Sequence, residues 1–221
     1  MKNRIFFIGL ILLALLNAQN NYPIVLIHGF MGWGESEMGD YNYWGGKEDL
    51  IKTLENNGNI VFELSVGPIS SNWERAVEAY YQLKGGQVDY GEAHSNKYKI
   101  NQHPSGKIYD GLYPDWDKDN PVHIIGHSMG GQTARMLQYL LTQEIFTDEE
   151  MLKKEGSILL GQSQNNLIKS ITTISTPHDG TTLTEVVTKT IPFIQYFIGF
   201  AGVIGTQFYD FDLEPVGFYK K

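Results

Sequence analysis

The chain has 221 residues, no cysteine, 25 acidic against 17 basic side chains and a formal net charge of −8. That length suits one domain with a sizeable core, and the acidic balance argues against nucleic acid as a partner. Without cysteine there are no disulfides, so core burial must hold the fold, with or without the help of a metal.

The first expected element is a leader. Met1-Lys2-Asn3-Arg4 is a cationic start, Ile5 to Leu16 an apolar core and Leu16-Asn17-Ala18 a small-residue cleavage position, the layout of a secretory signal peptide over 1–18. The apolar run falls short of the ~20 residues that span a bilayer, so a membrane anchor is the weaker reading. Cleavage after Ala18 delivers a secreted mature domain over 19–221 and removes two cations, Lys2 and Arg4.

Ile24 to Ile27 is a continuous apolar run, as expected of a central parallel strand covered on both faces. A glycine- and tryptophan-rich loop follows. Asp49, Leu50, Ile51 and Leu54 read as a helix closed by Asn57-Gly58, and Ile60 to Val66 as the next strand. Ser71 precedes Glu74 at capping-box spacing, and Trp73, Ala76, Val77, Tyr80 and Tyr81 recur at helical period. Over 85–120 the periodicity gives way to Gly, Pro, Asp, Tyr and His, an insertion with no evident element, of a kind that is usually functional or ordered by something extra.

Val122 to Ile125, Gln132 to Leu141 and Leu167 to Ser175 then read as strand, helix and strand. The alternation predicts an α/β fold: a doubly wound, mostly parallel sheet with helices on both faces. Beyond Leu183 comes a mostly apolar segment, 183–206, interrupted by Pro192 and including Phe193, Phe197 and Phe200.

Gly126-His127-Ser128-Met129-Gly130 joins the strand at Val122 to the helix that follows. This is the setting of a hydrolase nucleophile elbow: glycines at 126 and 130 leave room where the chain doubles back, and the turn lifts the Ser128 hydroxyl toward a substrate. A buried structural serine is the plainer alternative. An acyl-transfer nucleophile needs two backbone N–H groups aimed at the developing oxyanion. One comes from Met129, after the serine, and the other from Phe30, in the loop after the first strand, where Gly29 allows close approach. The His28 side chain is read as a strand-end residue bonded to its own loop.

Six blocks in order now carry a resemblance: Pro23 to Phe30, Tyr43-Trp44-Gly45-Gly46, Val66-Gly67-Pro68-Ile69-Ser70-Ser71-Asn72-Trp73, Val88-Asp89-Tyr90-Gly91, Gly126 to Arg135, and Thr176-Pro177-His178-Asp179-Gly180-Thr181. From about Tyr22 onward the chain closely resembles the secreted bacterial true lipases of the thermoalkalophilic bacillus and staphylococcal type. The resemblance implies an α/β-hydrolase fold and hydrolysis of carboxylic esters of fatty acids, typically triacylglycerol, at an oil–water interface. It carries the nucleophile onto Ser128 and the oxyanion donors onto Phe30 and Met129. It also implies that 183–206 corresponds to an amphipathic lid, against the alternative of a buried core helix.

A zinc site in the insertion is implied by the same resemblance. His94 falls on one family histidine, Glu74 stands where the family has aspartate, and His103 lies near the second histidine behind a longer loop. The fourth ligand would come from beyond this chain. Zinc accepts imidazole nitrogen and carboxylate oxygen, and closing such a site can order a loop that lacks its own core. The plainer reading makes Glu74 a helix-start carboxylate and the two histidines loop residues.

The triad of this fold runs serine, acid, histidine along the chain. After Ser128 the only histidine is His178, within Thr176-Pro177-His178-Asp179-Gly180, which in the family shapes the wall of the site and is not the base. Phe208-Tyr209-Asp210-Phe211-Asp212-Leu213 still matches the family, and the resemblance implies that the acid, the base and a calcium site lie beyond Lys221, so the chain is expected to be an N-terminal fragment, or the product of a truncated gene, of a lipase. On its own it would keep only the residual ~10³–10⁴-fold catalysis over water that binding and an oxyanion hole provide. Two alternatives stand beside the hydrolase: a non-catalytic relic that binds lipid surfaces, and an acyltransferase on the same fold.

Overall fold

The computed structural model describes residues 22–143, 157–161 and 163–181. The expected signal peptide at 1–18 and the lid-like segment at 183–206 lie outside the described residues.

Among the described residues four strands form an all-parallel sheet: β1 (Ile24–Ile27), β2 (Val61–Leu64), β5 (Val122–His127) and β6 (Ile168–Ile174), in the order β2-β1-β5-β6. Alternation along β1 explains why the whole run had to be apolar. Val25 and Ile27 enter the larger core on one face, while Leu26 enters a smaller core with Trp44 and Val61 on the other. Helix α1 (Leu50–Asn56) covers that smaller face through Ile51 and Leu54, with Asp49 accepting from the Lys52 amide as its N-cap.

The larger face is covered by α2 (Asn72–Lys84) and α4 (Met129–Thr142), which pack on each other as well as on the sheet. Ala76, Val77, Tyr80 and Leu83 of the first helix meet Ala134, Leu137, Leu140 and Leu141 of the second. The short α5 (Ile158–Gly161) adds Leu159 and Leu160. The capping box is formed as read: Ser71 Oγ accepts from the Glu74 amide at 3.4 Å, and Glu74 Oε2 accepts from the Ser71 amide at 2.8 Å.

Two differences from the sequence reading have physical causes. The helix expected from Gln132 starts at Met129, since its first turn contains Gly130 and Gly131, poor helix formers retained for close packing. A Cβ on Gly130 would fall inside contact of the Ile27 carbonyl oxygen, and one on Gly131 inside contact of the Thr176 hydroxyl. The insertion, read as lacking elements, holds α3 (Glu92–Tyr98) and an antiparallel ribbon of β3 (Gly86–Gln87) and β4 (Ile108–Tyr109). These are too short for any periodicity, and α3 buries only Ser95. Tertiary contacts hold the insertion instead. Trp116 is buried with Nε1 donating to the Leu167 carbonyl at 2.8 Å, and Lys84 Nζ donates to the carbonyls of Pro114 and Trp116 at 2.7 and 2.9 Å.

Candidate active site

Ser128 alone separates β5 from α4, and it sits at φ 53° and ψ −122°. A non-glycine residue rarely adopts positive φ and does so at a cost of order 1–3 kcal/mol, so the fold around it must over-determine the turn. It does so with glycine and with hydrogen bonds. A Cβ on Gly126 would lie 2.5 Å from the carbonyl carbon of Gly130, so the chain turns back here only without a side chain. The Ser128 amide donates to the Ile174 carbonyl at 2.8 Å, and its own carbonyl accepts from the Thr176 hydroxyl at 2.8 Å. The side chain is half-buried, and its hydroxyl bonds to none of the described residues.

The loop after β1 is pressed against this turn. A Cβ on Gly29 would stand 2.8 Å from Cβ of Ser128 and 3.1 Å from the His127 carbonyl oxygen. Among the described residues neither the Phe30 amide nor the Met129 amide donates to any protein acceptor. For Met129 that follows from its place in the first turn of a helix, where N–H groups have no intrahelical acceptor. The Phe30 side chain is 51% exposed beside it.

What holds the loop is a buried cation. Arg75 is fully buried in α2 and directs its guanidinium at backbone oxygens: Nη2 to the His28 carbonyl at 2.5 Å, and Nη1 to Gly67 at 2.7 Å and Gly29 at 3.5 Å. Nε donates to the Thr133 hydroxyl of α4 at 2.9 Å. Burial lowers its pKa to about 10, with Glu78 and Tyr43 opposing, so it stays cationic near neutral pH. Glu78, also fully buried, takes the other side of the same peptide segment, accepting from the Gly67 amide at 2.6 Å and from Tyr90 Oη at 2.7 Å and pairing with Lys107 at 2.9 Å.

His28 stands where the sequence suggested, bonded to its own loop through Nδ1 and the Gly29 carbonyl at 2.9 Å, while Nε2 accepts from the Val66 amide at 3.3 Å. Burial, and then the charge of Arg75, lower its pKa to about 3, so it is a neutral structural imidazole. His178 makes bonds to Thr173 Oγ1 at 3.1 Å and Arg135 at 3.2 Å and none to Ser128. No described histidine is bonded to the Ser128 hydroxyl.

The residues expected to bind zinc are brought together in part. Glu74 Oε1 and His94 Nε2 lie 2.5 Å apart, with the His94 ring stacked on Trp73 at 4.8 Å. Burial raises the Glu74 carboxyl, but hydrogen bonds from His94 and Ser71 outweigh it and hold the group below its usual range. The carboxylate thus caps α2 with one oxygen and meets His94 with the other. His103 is not gathered to them: its Nδ1 is bonded to the Val88 carbonyl at 3.2 Å and its Nε2 lies 3.9 Å from Asp89. Among the described residues no group of three or more candidate ligands converges. Glu74 and His94 fit zinc in donor chemistry and supply part of a tetrahedral set.

Sequence reading missed Arg75 and Tyr43. A charge beside the buried Ala76 and Val77 of an amphipathic helix was the available sign for Arg75. Nothing local marks Tyr43, whose partners Gly29 and His127 are distant in sequence.

A family model described as "Lipase-like, C-terminal domain" matches residues 20–221. A lipase of Staphylococcus hyicus is 43% identical over 213 residues, covering 93% of this chain and 33% of the relative. Lipase 1 of Staphylococcus aureus is 46% identical over 173 residues, covering 74% of this chain and 25% of the relative. Among solved structures, the Staphylococcus hyicus lipase matches with a TM-score of 0.80 at 41% identity, over 93% of this chain and 54% of that one. EstA from Clostridium botulinum matches at 0.77 and 42% identity, over 93% and 50%. The chain spans a third or less of these curated relatives and about half of the solved chains.

Proposed function

Because this chain belongs to the lipase-like C-terminal-domain family, we propose that it is the nucleophile-bearing portion of a secreted carboxylic ester hydrolase acting on fatty acyl esters at an oil–water interface, triacylglycerol above all. The observation that carries this reading is Ser128, at φ 53° on a one-residue strand-to-helix turn with Gly29 packed against it.

In this reading the Ser128 oxygen attacks the ester carbonyl carbon. The carbonyl electron pair moves onto oxygen, and the Phe30 and Met129 amides receive that charge; such a donor is worth ~10²–10³ in turnover. Collapse expels the alcohol, which leaves with a proton, and water releases the acyl group from the serine. An acid and a base to move those protons are not found bonded to Ser128 among the described residues. Among those residues no helix is long and apolar enough to cross a membrane. Glu74 and His94 would hold a zinc ion, whose contribution there is to order the insertion.

The test is covalent labelling of the chain with a p-nitrophenyl alkylphosphonate, read by intact mass and peptide mapping, alongside turnover of tributyrin and long-chain emulsions. The expected result is one label on Ser128 and none in Ser128→Ala. Equal labelling of that variant removes Ser128 from the chemistry. Product analysis in mixed alcohol and water separates hydrolysis from acyl transfer.

A further inference from the structure

Gly29 is gripped at both ends. Its carbonyl accepts from His28 Nδ1 at 2.9 Å, from the Gly32 amide at 3.2 Å and from Arg75 at 3.5 Å. Its amide donates to Tyr43 Oη at 2.8 Å. No described peptide is cis, so the Phe30 N–H, on the same plane as the Gly29 carbonyl, points opposite to those three donors. The Tyr43 hydroxyl, having accepted from Gly29, is also hydrogen-bonded to His127 Nδ1 at 2.5 Å. His127 immediately precedes Ser128 in the turn that carries the Met129 amide. One phenolic oxygen therefore ties the loop bearing one free amide to the turn bearing the other.

We infer that Tyr43 is a positioning residue: its hydroxyl, bridging Gly29 of the first loop and His127 of the elbow, sets the separation of the Phe30 and Met129 amides across Ser128. The ring is held independently of the hydroxyl. It lies edge-on to Trp33 and Trp44 at 5.2 and 5.4 Å and tilted against His28 and His127 at 5.6 and 5.7 Å. Burial pushes the phenol above its ordinary pKa, so the group remains a donor through the neutral range. A preorganised oxyanion site owes its effect to donors fixed before charge develops, and a loosened donor forfeits it without altering how the acyl chain is bound.

The inference rests on the nucleophile reading of Ser128, and the experiment separates the two. The chain is labelled with a p-nitrophenyl alkylphosphonate over a range of concentrations. The serine oxygen bonds to phosphorus, p-nitrophenolate leaves and the serine proton passes to buffer. The maximal labelling rate is thereby resolved from the half-saturating concentration. Tyr43→Phe is expected to lower the maximal rate about tenfold to a hundredfold, short of or up to the loss of a donor, with the half-saturating concentration unchanged. His127→Leu, which cuts the same tie from the other side, is expected to show the same loss, and the double variant no more than either single one. Circular dichroism verifies folding, and the two single variants allow one to decide if the other proves unfolded. A maximal rate in Tyr43→Phe equal to wild type overturns the inference, as does an additive double variant. Absence of label on wild-type Ser128 withdraws the nucleophile reading, and this inference with it.

Discussion

Gly29 and Ser128 approach so closely that a methyl group on Gly29 would stand 2.8 Å from Cβ of Ser128. The Tyr43 hydroxyl at 3.0 Å and the His127 carbonyl at 3.1 Å close the other sides of the same space. Gly29→Ala is therefore expected to push the loop off the elbow and carry the Phe30 amide with it. Phosphonate labelling of Ser128 should fall by about 10²-fold, the scale of one lost oxyanion donor, with the protein still folded by circular dichroism. An unchanged labelling rate would detach the loop from the chemistry.

Gly130 tests the packing of α4 on the sheet. Helix propensity alone makes Gly130→Ala stabilising by ~1 kcal/mol. Its Cβ, however, would fall inside contact of the Ile27 carbonyl oxygen and 2.7 Å from that of His28. These are backbone atoms at the end of the central strand, and overpacking of this kind costs about 1–3 kcal/mol. The variant should show a lower urea midpoint with the same slope. A higher midpoint would mean that propensity wins.

Glu63, on β2, gives a pH dependence. Burial first, and then the carboxylates of Glu35, Glu37 and Asp49, raise its pKa from 4.5 to about 7. Its Oε1 is buried and has no hydrogen-bond partner among the described residues. Between about pH 4.5 and 7 the folded protein holds a proton that the unfolded chain has lost, so this group's contribution to stability is present at low pH and fades as pH rises through 7. Glu63→Gln should melt close to wild type at pH 5 and above it at pH 8. The same difference at both pH values would rule out ionisation as its cause.

Zinc in the insertion is tested by elemental analysis after dialysis against limiting zinc. Glu74→Ala and His94→Ala are expected to weaken retention by more than the about 10–100-fold that outer-shell changes cost. His103→Ala should have a smaller effect, because its imidazole is already engaged by Val88 and Asp89. Stoichiometric zinc in His94→Ala would end the assignment.

How much of the site could be read without coordinates depended on how far apart its partners are in the chain. Ser71 and Glu74 announce their capping box because both partners fall within one helical turn. Ser128 is flanked by its own strand, its own helix and the two glycines that permit the bend. The short α3 and the β3–β4 ribbon left no periodic trace, because they are held by side chains elsewhere, such as Trp73 beneath His94.

The parallel α/β layout, the glycine-flanked turn at Ser128 and the strand-end loop that faces it were legible from residue order alone, since each follows from apolar periodicity and glycine placement within a few neighbouring residues. What holds these pieces in register emerges from the packed fold. Arg75 reaching the carbonyls of His28, Gly29 and Gly67, Glu78 holding the Gly67 amide, and Tyr43 bridging Gly29 to His127 join helices and loops that no single local segment contains. Such bonds exist only once the sheet and its helices have packed, and no local pattern records them.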